Sequence, residues 1–121
     1  MIRLDKLTKH FRQVTAVDSV SIRVEPGEIY GFLGPNGAGK TTTIKMLAGI
    51  MRPSSGRIFI DGLELEKNPL EVKARVGFIP DRPFLYDKLT GVEFMSFMAN
   101  LYGLNSGGRD KRIQQFLELF E

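Results

Sequence analysis

An α/β architecture follows from three features of this 121-residue chain. Residues 1–33 alternate apolar and polar side chains as strands do, Ile2 with Leu4, then Val20, Ile22 and Val24 spaced by Ser21 and Arg23. From residue 90 onward the apolar residues recur at helical spacing instead. Between these regimes stands Gly34-Pro35-Asn36-Gly37-Ala38-Gly39-Lys40-Thr41-Thr42, which fits the pattern G-x-x-x-x-G-K-[ST]. Ahead of it, Ile29-Tyr30-Gly31-Phe32-Leu33 has the composition of a buried strand. Behind it, Thr41 to Ile50 carries no proline and sets Ile44, Leu47 and Ala48 at helical spacing. Strand, glycine-rich loop and helix in that order make a P-loop unit, whose strand belongs to a parallel sheet.

In chain order, residues 1–24 predict short strands, and Pro26-Gly27 a tight turn into the 29–33 strand. Phe11 lies in the polar stretch Lys9-His10-Phe11-Arg12-Gln13 and reads as a partly buried aromatic; His10, the single histidine, reads as an exposed side chain. After the P-loop helix, Arg52-Pro53-Ser54-Ser55-Gly56 is a loop by composition. Ile58, Phe59 and Ile60 make a strand, and Asp61-Gly62 predicts a hairpin returning through Leu63 and Leu65. Charged residues 66–75 predict a short surface helix or loop. Val76-Gly77-Phe78-Ile79 is a second apolar strand, ended by Pro80-Asp81-Arg82-Pro83. Thr90 and Glu93 pair as a capping box. The helix they open carries Val92, Phe94, Met95, Met98, Leu101 and Tyr102, and Gly103 ends it. Asn105-Ser106-Gly107-Gly108 predicts a flexible loop, and Arg109 to Glu121 a second helix with Ile113, Phe116, Leu117 and Phe120 along one face.

Composition narrows the class. Hydrophobic residues at 42% and charged residues at 26% suffice for a packed core and exclude a disordered chain. Cysteine is absent, which excludes a disulfide framework and a thiolate metal site and suits a reducing compartment. The net charge of +3 is spread along the chain, with no basic stripe, so no nucleic-acid partner is expected. Met1-Ile2-Arg3-Leu4-Asp5-Lys6 lacks the apolar run of a secretory signal. No apolar run approaches the ~20 residues of a membrane span, so a membrane role must come through a partner.

The residue types of the loop answer to a chain of phosphates. Glycine turns through positive φ and lets backbone approach a ligand closely. Successive N–H groups of residues 34–39 then line one concavity, to which the start of the following helix adds its free N–H groups and positive dipole end. Lys40 supplies a point charge to the β- and γ-phosphates, Thr41 a hydroxyl to Mg²⁺, and Thr42 a hydroxyl near the α-phosphate. A dinucleotide loop is excluded, because Gly37-Ala38-Gly39 leads into Lys40-Thr41-Thr42 with no third glycine at the required offset. Hydrolysis also needs an acidic Mg²⁺ partner at the end of a buried strand and a group that positions water. Residues 84–121 are read as containing no strand that ends in an apolar run plus Asp, so the chain is expected to be truncated and its hydrolytic machinery incomplete.

Together these residues resemble the first portion of the ATP-binding subunit of ABC transporters. The resemblance rests on Phe32 through Thr42, then on Pro53-Ser54-Ser55-Gly56-Arg57-Ile58 with Asp61-Gly62. It implies an ABC-type ATPase core: residues 1–83 as β-subdomain and P-loop core, residues 84–121 as the start of a helical subdomain. It places Phe11 at the family's A-loop aromatic, which stacks on adenine, and Val17 where an apolar side chain touches the same base. Gly34, Pro35, Asn36, Gly37, Ala38, Gly39, Lys40, Thr41 and Thr42 become the nucleotide contacts, with Lys40 also catalytic. Asp81 falls where the family has its Q-loop glutamine, which contacts Mg²⁺ and the attacking water in a loop facing the membrane subunit. That departure looks like the exporter-type branch, and makes Thr41 and Asp81 the implied metal ligands. Ser106-Gly107-Gly108 imitates part of the signature Leu-Ser-Gly-Gly-Gln, but Asn105 precedes it, Arg109 follows it, and it lies too near Lys40. The signature, the Walker B acid, its catalytic glutamate and the switch histidine are missing.

The resemblance implies ATP and Mg²⁺ as ligands. It implies an ATP hydrolase in the complete subunit, coupled to transport, with a lean to export, through a separate transmembrane permease. A second nucleotide-binding subunit in a head-to-tail dimer and a place on the cytoplasmic face of the membrane complete the expectation. Residues 1–121 alone are expected to bind Mg-ATP weakly, to hydrolyse none and to aggregate. The competing expectations are a soluble ABC-type ATPase acting on ribosomes or DNA, and a non-catalytic nucleotide-binding fragment.

Overall fold

β1 (Ile2–Phe11) and β2 (Val14–Val24) form a long antiparallel hairpin in a computed structural model that describes residues 1–104 and 106–120. Ile2 pairs with Val24 and Phe11 with Val14, so Arg12 and Gln13 alone make the turn, Arg12 at φ 49°. At 10 and 11 residues these are not the short strands expected from the sequence. Two interruptions of the register explain how they bury their apolar residues. Strict alternation would put Leu4 and Leu7 on opposite faces. Lys6, at φ 47°, inserts a bulge that returns Leu7 to the core face. Leu4 is then 2% exposed and Leu7 fully buried, each contributing roughly 1.5–3 kcal/mol. Ser19, at φ 49°, interrupts β2 in the same way between Val17 and Val20. Both irregularities are pinned by hydroxyls: Lys6 N–H donates to Ser21 Oγ at 2.9 Å, and Ser19 N–H to Thr8 Oγ1 at 3.0 Å.

β3 (Ser55–Ile60) pairs with the other edge of β1, and β4 (Leu63–Glu64) with β3, giving an antiparallel sheet of order β2-β1-β3-β4. Asp61 and Gly62, at φ 49° and 80°, make the two-residue turn between Ile60 and Leu63, as their residue types demand. Strand β3 takes in the last two residues, Ser55 and Gly56, of the stretch that composition assigns to a loop. α1 (Lys40–Leu47) lays Met46 on the sheet, and α2 (Pro69–Ala74), opened by proline in its first turn, adds Val72. Leu4, Leu7, Val17, Met46, Ile58, Ile60, Leu65 and Val72 form one buried cluster. All of this belongs to a compact unit, Met1–Phe78.

Two expected strands are absent. Ile29–Leu33 and Val76–Ile79 run without strand partners among the described residues. Ile29 is 102% exposed, Leu33 93% and Ile79 89%, the opposite of a buried strand. Apolar composition states that a segment can be buried in a sheet; the ladder of hydrogen bonds that makes it a strand needs a neighbour. The parallel portion of the P-loop unit is therefore not formed here, and the observed sheet is wholly antiparallel.

The second compact unit is Ile79–Glu121. α3 (Gly91–Leu101) opens on the expected capping box: Glu93 N–H donates to Thr90 Oγ1, and Thr90 N–H to Glu93 Oε2 at 2.8 Å. The bonds from Thr90, backbone first and then hydroxyl, hold the Glu93 carboxyl below its usual range. Gly103, at φ 67°, ends the helix. α4 (Ser106–Phe120) packs on α3, with Ala99 and Ile113 buried. It corrects the loop expected at residues 106–108; the same expectation for Asn105 lies outside the described residues. First-turn N–H groups need no intrahelical partner, so glycines there interrupt nothing. Arg109 anchors this end to α3 by donating to Asn100 Oδ1 at 2.8 Å. Among the described residues no helix is long and apolar enough to cross a membrane.

Candidate functional site

The glycine-rich loop is seated on β2. Gly37 and Gly39 stand at φ 82° and 80°, a region that side chains other than glycine rarely enter. Gly39 is also the N-cap of α1. A Cβ there would lie 2.2 Å from Ala16 O and 3.0 Å from Val17 Cγ2, so this position is glycine both for its dihedral angle and for its closeness to β2. Thr43, 2% exposed, clamps the same residue: its N–H and its hydroxyl both donate to Gly39 O, at 2.8 and 2.9 Å. The site expected from sequence ends at Thr42 and leaves this anchor out; its signal is a third consecutive hydroxyl, four residues after Gly39.

Lys40 closes the loop from the helix side. Its ammonium donates to Gly34 O at 2.5 Å and Pro35 O at 2.6 Å. Ala38 N–H donates to Pro35 O at 3.3 Å, tightening the intervening turn. Pro35, Asn36, Gly37 and Ala38 are exposed. Thr41 is exposed and Thr42 half-buried in the first turn of α1. No side chain caps α1, so the N–H groups of Lys40, Thr41 and Thr42 open the helix without intrahelical partners. With the dipole behind them they present a positive field, and an anion is the ligand that field suits.

Phe11 ends β1, 43% exposed, with Lys9 Nζ 5.3 Å from its ring centroid. Val17 is only 5% exposed and belongs to the core beneath Gly39. The β1–β2 hairpin thus carries the aromatic at its tip and supports the loop with Ala16 and Val17. Asp81 is exposed in the irregular stretch of the second unit, so Thr41 and Asp81 belong to different units. Among the described residues no three His, Cys, Asp or Glu side chains converge as a metal site. His10 is exposed but engaged, its Nδ1 3.0 Å from Thr15 Oγ1.

A glycine loop at positive φ, a helix start with open N–H groups and a lysine spanning the loop define a P-loop protein. The family model described as ABC transporter matches residues 17–121, and the chain belongs to that family. The ABC transporter ATP-binding protein NatA of Bacillus subtilis (strain 168) is 40% identical over 125 residues, covering 99% of this chain and 51% of that protein. The bacitracin transport ATP-binding protein BcrA of Bacillus licheniformis is 41% identical over 119 residues, covering 98% of this chain and 38% of that protein. A solved ATP-binding subunit of an ABC transporter superposes with a TM-score of 0.79 at 33% identity, over 93% of this chain and 47% of that one. The chain spans about half the length of these proteins, or less.

Proposed function

We propose that this chain is the nucleotide-binding part of an ABC transporter's ATP-binding subunit. In the complete subunit, ATP binding and hydrolysis drive transport, in the export direction, through a separate permease on whose cytoplasmic side the subunit sits as a head-to-tail dimer. The observation that carries this reading is the loop of residues 34–42, docked on β2 by Gly39 and continued by the open N-terminus of α1. Membership of the family and similarity to proteins named for ATP binding and for bacitracin transport support it.

In this reading the N–H groups of residues 37–42 bind the phosphate oxygens, and Lys40 turns from the carbonyls of Gly34 and Pro35 toward the β- and γ-phosphates. The Thr41 hydroxyl suits Mg²⁺, a hard cation that prefers oxygen and is held largely by substrate phosphates; the Asp81 carboxylate is proposed as a further ligand on the family resemblance alone. Bound Mg²⁺ neutralises charge on the β- and γ-oxygens. Phe11 stacks on adenine, while Val17, almost wholly buried, supports Gly39 from below and leaves the base chiefly to Phe11.

Three measurements bear on these roles. Affinity purification of the full-length protein from solubilised membranes should recover a polytopic membrane protein; recovery of ribosomes or DNA instead would favour a soluble ATPase. Phe11→Ala should weaken ATP binding by roughly 1–3 kcal/mol and GTP binding similarly, because stacking reads a π-face. Unchanged affinity in a calorimetric titration would remove Phe11 from the site. Asp81→Asn should raise the Mg²⁺ concentration for half-maximal hydrolysis, and an unmoved Mg²⁺ dependence would leave Asp81 a turn residue.

A further inference from the structure

We propose that Lys9 is a positioning residue of the base site, holding the Phe11 ring from one face so that the other face receives the purine. This rests on the stacking role proposed for Phe11 above. Residues two apart on a strand share a face, which brings Lys9 alongside Phe11 on β1. The Lys9 ammonium lies 5.3 Å from the ring centroid, within the distance at which a cation is drawn to the negative face of an aromatic ring. Lys9 is not a freely solvated lysine. It is half-buried, and Nζ donates to Arg52 O at 2.7 Å, in the segment that follows α1.

The same segment is tied to β1 twice more. Ser54 N–H donates to Thr8 O at 2.9 Å, and His10 N–H donates to Ser54 Oγ at 3.0 Å. The end of β1 that carries Phe11 is thereby bound to the segment beyond the C-terminus of α1, the helix whose first residue is Lys40. Two consequences follow. An aromatic 43% exposed at a hairpin tip would lose side-chain freedom on binding a base; a cation already seated on one face takes part of that loss beforehand. The cation also draws ring electrons toward itself, which makes the opposite face a better partner for an electron-rich purine.

The test compares Mg-ATP with Mg-tripolyphosphate, which has the phosphates and no base, on the full-length protein by calorimetry. Lys9→Met should weaken Mg-ATP binding about three-fold, the size of a partly exposed cation–π contact, and leave Mg-tripolyphosphate binding unchanged. Lys9→Arg, which keeps both the cation and a donor to Arg52 O, should bind Mg-ATP as the parent does. In a Phe11→Ala background Lys9→Met should have no further effect. An equal loss for both ligands would overturn the proposal, since Lys9 would then act on the fold or the phosphate loop. A normal loss in Phe11→Ala with none in Lys9→Met would overturn it alone. No loss in Phe11→Ala would overturn the stacking role and this proposal together.

Discussion

Lys40→Ala in the full-length protein is expected to abolish measurable Mg-ATP binding and hydrolysis, the largest functional loss at the site. Two effects combine. The first is removal of the positive charge placed for the β- and γ-phosphates; a hydrogen bond to a charged group contributes about 1.5–3 kcal/mol, and the ammonium can make more than one. The second is local to the loop. Lys40 Nζ now joins the helix start to the carbonyls of Gly34 and Pro35, so its loss also releases the loop that shapes the anion site. The remaining N–H groups of α1 stay in place, because Gly39 is held by Thr43 and by contact with Ala16 rather than by Lys40. The variant should therefore keep its fold while losing the rise in melting temperature that saturating Mg-ATP gives the parent; at 100 times Kd that stabilisation is about 2.7 kcal/mol. Calorimetry and a thermal melt with and without nucleotide check both parts. Retained nucleotide stabilisation in Lys40→Ala would refute the assignment of this loop as the phosphate site.

What could be read from sequence was what depends on local chemistry. Gly39 and Lys40 announce the loop because the dihedral angle and the charge belong to those residue types. Thr90 with Glu93, and Asp61 with Gly62, announce a helix start and a hairpin for the same reason. What could not be read depends on a neighbour. Arg12-Gln13 carries no glycine, asparagine or aspartate, so nothing local marks the hairpin that the pairing of Phe11 with Val14 imposes. The bulges at Lys6 and Ser19 are invisible in composition and yet decide which side chains enter the core. Ile29–Leu33 and Val76–Ile79 show the reverse error: their composition fits a strand, but without a ladder they are not strands. At the site, the roles of Thr43 and Lys9 depend on their partners, Gly39 O and Arg52 O, which are backbone atoms whose positions only the fold supplies.

Gly56→Ala is expected to be among the most destabilising small substitutions in the first unit. Gly56 stands at φ 88°, and a Cβ there would lie 2.4 Å from Lys6 O, 2.7 Å from Asp5 O and 2.7 Å from Leu7 Cα. All three are backbone atoms of the β1 bulge, so no side chain can swing aside to make room. Relief requires β1 and β3 to separate where the bulge aligns Leu4 and Leu7 with the core, and the loss should reach ~4 kcal/mol or more. Gly62→Ala is the matched control. Its φ of 80° imposes the same kind of backbone cost, about 1–2 kcal/mol, but its Cβ would meet nothing within 4 Å. The difference between the two variants in urea unfolding thus isolates the contact between strands from the dihedral strain. Because β1 continues from this bulge to Phe11, Gly56→Ala should also weaken ATP binding, whereas Gly62→Ala, in the turn to β4, should not. Equal unfolding midpoints for the two variants would show that the strands accommodate a methyl group, and that glycine at residue 56 serves only its dihedral angle.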